Sequence, residues 1–160
     1  MSTGGPILRL ATRDDANLIA RLSRDRIEQG LGWSWTTPRV LRSIRDHETN
    51  VVVAAEAREV HGFGIMKYHD EVAHLLLLAV LPGSERRGIG SALVEWLEDV
   101  ARVAGVAQIE LEARATNVRA RAFYRRLGYR EIDSVAGYYQ GREACVRLAK
   151  NLRVGRAVPG

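Results

Sequence analysis

The stretch from Val72 to Gly105 leaves the chain few ways to fold. The segment "VAHLLLLAVLPG" is apolar almost throughout and stops at Pro82 and Gly83. An apolar run of that length, bounded by turn residues, reads as a central strand buried on both faces. It leads into "SERRGIGSALVEWLEDVARVAG", where Leu93, Leu97, Val100, Ala101 and Ala104 repeat at helical spacing. Glu95, Glu98, Asp99 and Arg102 take the opposite face, and Gly105 closes the helix. Two glycines, Gly88 and Gly90, open it. Glycine costs about 1 kcal/mol against alanine inside a helix, so a pair in the first turn requires a reason other than propensity. Close approach of a ligand to that backbone supplies one.

An anion suits such a turn. Arg86, Arg87, Gly88, Ile89, Gly90 and Ser91 join a buried strand to a helix N-terminus, where free N–H groups and the helix dipole favour negative charge. Glycines keep any Cβ out of the way, and the arginines add charge. The spacing excludes a P-loop, because Ile89 and Gly90 stand where Lys and Ser/Thr are required. A dinucleotide fingerprint lacks its third glycine, which Leu93 replaces, although Glu110 lies about the right distance downstream. A pyrophosphate held by backbone amides fits best. Glycines serving turn geometry alone fit either position singly, but leave the pair beside two arginines as a coincidence.

The remaining segments supply a sheet and further helices. "ILRLA" alternates like a strand, and Thr12 with Asp15 resembles a capping box opening the helix "TRDDANLIARLSRDRIEQG". A link, "GLGWSWTTP", leads to a second helix from about Pro38 to His47. "NVVVAAEA" and "VHGFGIMKYH" form a hairpin across "REV". After the glycine-led helix come the strand "VAQIELEA", a helix capped by Asn117 and closed by Gly128, and the strands "YREIDSV" and "EACVRLA". With 160 residues, 46% of them hydrophobic, one core is the expectation. The fold class is α/β (α+β): a single domain over residues 1–160, with a central mixed, mostly antiparallel sheet flanked by about four helices. Residues 153–160, "RVGRAVPG", read as a frayed tail.

Composition removes several functional classes. No apolar run approaches the roughly 20 residues of a membrane span, and "MSTGGPILRLATRDD" lacks the basic start and apolar stretch of a secretory signal, so a cytoplasmic protein without membrane contact is expected. The single cysteine, Cys145, allows no internal disulfide and no thiolate cluster, and in "ACVRLA" it reads as core. His47, His61, His69 and His74 share no metal-ligand spacing and read as surface or strand-end residues, so no metal is expected. The formal charge of +5 would suit a polyanion. The densest basic group, "RATNVRARAFYRR", coincides with an expected helix and is either that helix's solvated face or a site for a polyanion; nucleic acid is not the expected partner.

"ERRGIG" resembles the Gln/Arg-x-x-Gly-x-Gly/Ala pyrophosphate signature of the GNAT superfamily of acyl-CoA-dependent N-acyltransferases, departing from it at Glu85. "ELEARATNVRARAFYRRLGY" is similar to the Glu-x-Arg-x-x-Asn and Tyr-x-x-x-Gly-Phe/Tyr pattern of the ribosomal-protein-alanine N-acetyltransferase branch. Glu112, Arg114, Asn117, Tyr124, Gly128 and Tyr129 match it position by position. "GYYQGREACVRLAKNL" resembles that branch's C-terminal hairpin, with Tyr138, Tyr139, Gly141 and Glu143 in place.

The resemblance implies acetyl transfer from acetyl-CoA, as co-substrate, to an amine acceptor that is a small molecule or a protein N-terminus. That reaction needs a neutral amine, a held thioester, a stabilised oxyanion and a proton for the leaving thiolate. By resemblance, Glu112 removes the ammonium proton directly or through water and Tyr124 protonates the thiolate. Asn117 contacts the pantetheine arm or the backbone near it, and the backbone around Ala79 and Val80 pairs with the pantetheine amides and donates to the oxyanion. Without the resemblance, Glu112 is a solvent-facing acid sharing a strand face with Glu110, and Tyr124 is a core aromatic. Trp33 and Trp35 either wall the acceptor pocket or clamp the link to the core, and Tyr138 and Tyr139 carry the same ambiguity. The assembly is a monomer or homodimer. The alternative from another class is a non-catalytic CoA-binding regulatory or nucleic-acid-associated module.

Overall fold

Runs of β-branched and small apolar residues alternate along the chain with amphipathic segments, and these become strands and helices in a computed structural model describing residues 5–85, 87–139 and 143–153. Arg86, Gly141 and the tail from residue 154 lie outside the described residues, as do the side chains of Tyr138, Tyr139 and Glu143. Among the described residues seven strands form: β1 (Ile7–Leu10), β2 (Thr49–Glu56), β3 (Glu59–Tyr68), β4 (Val72–Val80), β5 (Gln108–Arg114), β6 (Arg130–Tyr139) and β7 (Glu143–Asn151). Four α-helices accompany them: α1 (Ala16–Leu22), α2 (Thr37–Arg45), α3 (Ile89–Val103) and α4 (Val118–Arg126). The strands follow the order β1-β2-β3-β4-β5-β7-β6. β4 and β5 run parallel, while β1/β2, β2/β3, β5/β7 and β6/β7 are antiparallel, which is the mixed sheet expected. No helix among the described residues is long and apolar enough to cross a membrane.

The chain packs as two compact units, Met1–Lys67 with Leu76–Asp99, and Tyr68–Leu75 with Val100–Gly160. In the first, Ile19 of α1, Val40 of α2, Val53 of β2 and Phe63 and Ile65 of β3 are fully buried. Each such side chain contributes about 1.5–3 kcal/mol by leaving water. Thr12 caps the first helical turn: its N–H donates to Asp15 Oδ2 at 2.8 Å. Arg9 donates to both oxygens of the same carboxylate, at 2.8 and 3.2 Å. Burial raises the Asp15 pKa, but the bonds from Arg9 and Thr12 outweigh it and hold the carboxyl below its usual range. Two glycines of β3 admit α3 and β4. A Cβ on Gly64 would lie 3.0 Å from Leu97 Cδ1, and one on Gly62 would lie 3.0 Å from the Ala79 carbonyl oxygen.

In the second unit, Ile109 and Leu111 of β5 pack with Cys145 and Leu148 of β7, all buried. Burial pushes the Cys145 thiol up, with the Glu112 charge adding to the effect, which fits the core role expected for it. Helix α4 is bounded as its sequence predicts. Asn117 Oδ1 accepts from the Ala120 N–H at 3.0 Å, and Gly128 takes φ +98° beyond the last turn. β7 lies between β5 and β6 and pairs with both.

Three expectations about burial need correcting. β4 is not buried on both faces: Ala73, Leu75, Leu77 and Ala79 are buried, whereas His74, Leu76, Leu78 and Val80 between them are half-buried. Leucine occupies either setting, so an all-apolar run hides the alternation. Glu98, placed by periodicity on the polar face of α3, is buried, and Ala104 is exposed. The buried stripe runs through Leu93, Val94, Leu97, Glu98 and Ala101, broader than the apolar residues alone define. Finally, His74 is not at a strand end but is the third residue of β4, its side chain 31% exposed.

Candidate active site

In the first unit, β4 ends at Val80 and the chain turns through Pro82 to Arg87 into α3. Successive backbone bonds set the turn: Leu81 N–H to His61 O at 2.7 Å, Ser84 N–H to Leu81 O at 3.0 Å and Ala92 N–H to Gly88 O at 3.0 Å. Gly88 sits at φ +73°, a left-handed conformation that costs other residues about 1–2 kcal/mol, and a Cβ there would meet nothing within 4 Å. Gly90 lies in the first turn of α3, beside Ile89 and Ser91, whose N–H groups have no carbonyl one turn back inside the helix.

Side chains brace this turn from beneath. Buried Ser84 and half-buried His61 are joined by a 2.9 Å hydrogen bond between Oγ and Nδ1, and His61 Nε2 lies 3.5 Å from Glu56 Oε1. The Arg87 guanidinium, expected to add charge for an anion, donates to that same Glu56 carboxylate at 3.2 Å. Arg26 forms an ion pair with Glu85.

The link between α1 and α2 hangs on one carboxylate. Buried Glu28 accepts from Ser23 Oγ at 2.9 Å, from the Ser34 N–H and Oγ at 2.7 Å each, and from the Trp35 N–H at 3.2 Å. Burial raises its pKa, but these donors together hold it below the usual carboxylate range. Trp35 is buried with the Arg39 guanidinium 3.8 Å above its ring. Trp33 donates from Nε1 to the Ala20 carbonyl at 3.2 Å yet stays 41% exposed. Both tryptophans therefore clamp the link, and Trp33 also keeps surface that a ligand could touch.

In the second unit, Glu112 of β5 is 13% exposed at its side chain and is flanked from both neighbouring strands. His74 Nε2 of β4 is hydrogen-bonded to its Oε1 at 2.6 Å, and Arg147 Nε of β7 lies 3.8 Å from its Oε2. Tyr124, on α4, is buried in an aromatic cluster, edge-on to Phe123 at 5.0 Å and to Tyr129 at 5.7 Å between centroids. Asn117 stands just outside α4, its carbonyl oxygen committed to the cap. Sequence reasoning missed His74 and Glu28. The signal for His74 was a single imidazole in an otherwise apolar strand; Glu28 gave none, since it sits among charged residues that read as a helix surface.

The Acetyltransferase (GNAT) family profile matches residues 14–129. The [Ribosomal protein bS18]-alanine N-acetyltransferase of Escherichia coli K12 is 39% identical over 90 residues, 54% of this chain. That match spans 61% of the relative's own length. The solved structure of the ribosomal-protein-S18-alanine N-acetyltransferase from Escherichia coli superposes with a TM-score of 0.77 at 26% identity, covering 96% of this chain and 99% of that one. An aminoglycoside 6'-N-acetyltransferase solved with coenzyme A shares the fold, with a TM-score of 0.77 at 20% identity over 95% and 99% of the two chains.

Proposed function

The chain belongs to the GNAT acetyltransferase family, and on that premise we propose that it moves an acetyl group from acetyl-CoA to a primary amine by direct transfer. The observation that carries this reading is the passage from β4 into α3, with Gly88 at φ +73° and Gly90 in the first helical turn. Amides at such a turn suit a pyrophosphate, and a fold neighbour is solved with coenzyme A. The Arg87 to Ser91 backbone holds that group, with Arg86 adding charge. The backbone at Ala79 and Val80 holds the pantetheine arm and donates to the oxyanion, and Asn117 offers its amide Nδ2 to the same arm.

Glu112 drives removal of the ammonium proton. The freed amine attacks the thioester carbonyl, a C–N bond forms and the C–S bond breaks. The second N–H proton ends on the sulfur through the Tyr124 hydroxyl, acting as a positioned acid. The acceptor is a protein N-terminal amine, a reading supported by the name of the 39% identical relative. A ribosomal acceptor would place the protein in the cytoplasm.

A thiol-release assay with acetyl-CoA tests this against an alanine-led peptide, an aminoglycoside and a polyamine. Release with the peptide is expected. No release with any amine, together with strongly salt-dependent binding to RNA or DNA, would establish the non-catalytic module instead.

A further inference from the structure

The guanidinium of Arg147 on β7 is held by charge and not by hydrogen bonds. Its Nε is buried with no hydrogen-bond partner among the described residues, and the rest of the fork makes no hydrogen bond there either. Glu112 Oε2 lies 3.8 Å from that Nε, beyond hydrogen-bonding reach, and the Arg147 side chain stays 43% exposed. Arg121, in the same unit, shows how a structural arginine is fixed. Its Nε and Nη2 donate to Glu131 at 2.8 and 2.9 Å, and its Nη1 donates to the Ala115 carbonyl at 2.7 Å. A buried donor left unsatisfied weakens a fold, so packing alone does not account for Arg147.

Strand register sets Arg147 opposite Glu112 on one side and opposite Asp133 of β6 on the other, so the three share one face of the sheet. Asp133 Oδ1 is committed to the Ser134 N–H at 2.8 Å. Two carboxylates thus flank one guanidinium. The excess of negative charge in that row suits an incoming ammonium and opposes an incoming carboxylate. The outer N–H groups of the fork remain open to a neutral oxygen.

We infer that Arg147 reads the first carbonyl oxygen of the acceptor, so that the site selects an amine carrying a neutral α-carbonyl, as a peptide N-terminus does, over an alkyl amine or a free amino acid. The inference rests on the acetyltransferase reading above, in which Glu112 takes the ammonium proton. In an α-aminoacyl group the carbonyl oxygen lies about 3 Å from the amine nitrogen by ordinary bond lengths. An amine at Glu112 therefore brings that oxygen to the neighbouring Nη groups, where it accepts an N–H from the guanidinium. A polyamine has no oxygen to offer there, and a free amino acid brings a carboxylate into a row that already holds two.

The test changes each side of the contact in turn. Steady-state kinetics are measured for wild type and Arg147→Met with an alanine-led peptide and with its analogue whose first carbonyl oxygen is replaced by sulfur, a weaker acceptor. Arg147→Met should lose about 10- to 100-fold in kcat/KM on the oxygen peptide, the scale of a hydrogen bond from a charged donor, and should be indifferent to the sulfur. Wild type should be slowed by sulfur at the first carbonyl and not by sulfur at the second. Coenzyme A affinity and melting temperature should be unchanged in the variant. Equal sensitivity of the two enzymes to the first sulfur overturns the inference, because a role in packing, or one exercised on Glu112 alone, lowers turnover of both peptides by the same factor. Free alanine acetylated as well as alaninamide overturns the choice of a neutral oxygen. A wild type that acetylates no amine overturns the functional reading beneath it instead.

Discussion

Gly62 on β3 presents its bare Cα to the carbonyl oxygen of Ala79 on β4, which a Cβ would approach to 3.0 Å, with Ile89 Cγ2 and Leu93 Cδ1 each at 3.3 Å. Backbone cannot swing aside as a side-chain tip can. Gly62→Ala should therefore lower stability by about 1–3 kcal/mol, as overpacking does. It should also displace the segment proposed to hold pantetheine, raising KM for acetyl-CoA more than KM for the amine. Denaturant midpoints and steady-state kinetics check both, and an unchanged midpoint would contradict the packing described.

The two glycines of the turn should respond differently. Gly88→Ala must adopt φ +73° and is expected to lose about 1–2 kcal/mol of stability, since the open space around it presents no steric conflict. Gly90→Val adds a branched side chain where the pyrophosphate is proposed to lie. Coenzyme A affinity measured by titration should fall at least tenfold in that variant, in excess of any loss of helix content.

Acid should loosen the α1–α2 link. The Glu28 carboxyl is held below its unfolded value, so its contribution is fully present above about pH 4.3 and is lost as pH falls through the folded pKa. Glu28→Ala removes the acceptor of four donors and should cost about 2–4 kcal/mol at pH 7. The gap between wild type and variant should narrow between pH 5 and pH 3, read from urea midpoints across roughly that range. A constant gap would show that the carboxylate charge is immaterial.

Tyr124 is placed to serve both packing and chemistry, and one atom separates the two roles. Tyr124→Phe keeps the ring edge-on to Phe123 and Tyr129, so thermal stability and coenzyme A affinity should hold while turnover falls roughly ten- to a thousand-fold. With a donor whose thiol is more acidic, the defect should shrink. Equal defects with both donors would assign Tyr124 to placing the sulfur.

Features written in local chemistry were legible in the sequence. Asn117 and Gly128 bracket α4 because a side-chain cap and a left-handed glycine act on neighbouring residues. The turn at Gly88 and the presence of a strand before it followed from adjacent segments as well. Partnerships made across strands were not legible. His74 meets Glu112 only because β4 and β5 pair in a register that sets His74 opposite Glu110. The close approach of α3 and β4 to Gly62 and Gly64 is likewise a contact between segments distant in the chain. Glu98 followed the polar pattern of its helix and was buried nonetheless.

The insertion of β7 between β5 and β6 sets a schedule for synthesis. β5 and β6 precede it in the chain, yet both pair along one edge with β7, from Gln108↔Asn151 to Arg114↔Cys145 on one side and from Arg130↔Ala149 on the other. Until Asn151 has left the ribosome, a nascent chain therefore exposes two unsatisfied strand edges at once, the condition under which polypeptides recruit foreign strands. A chain ending before Glu143 would remain in that state, and chaperone dependence should end abruptly once the last nine-residue strand is free to enter its slot.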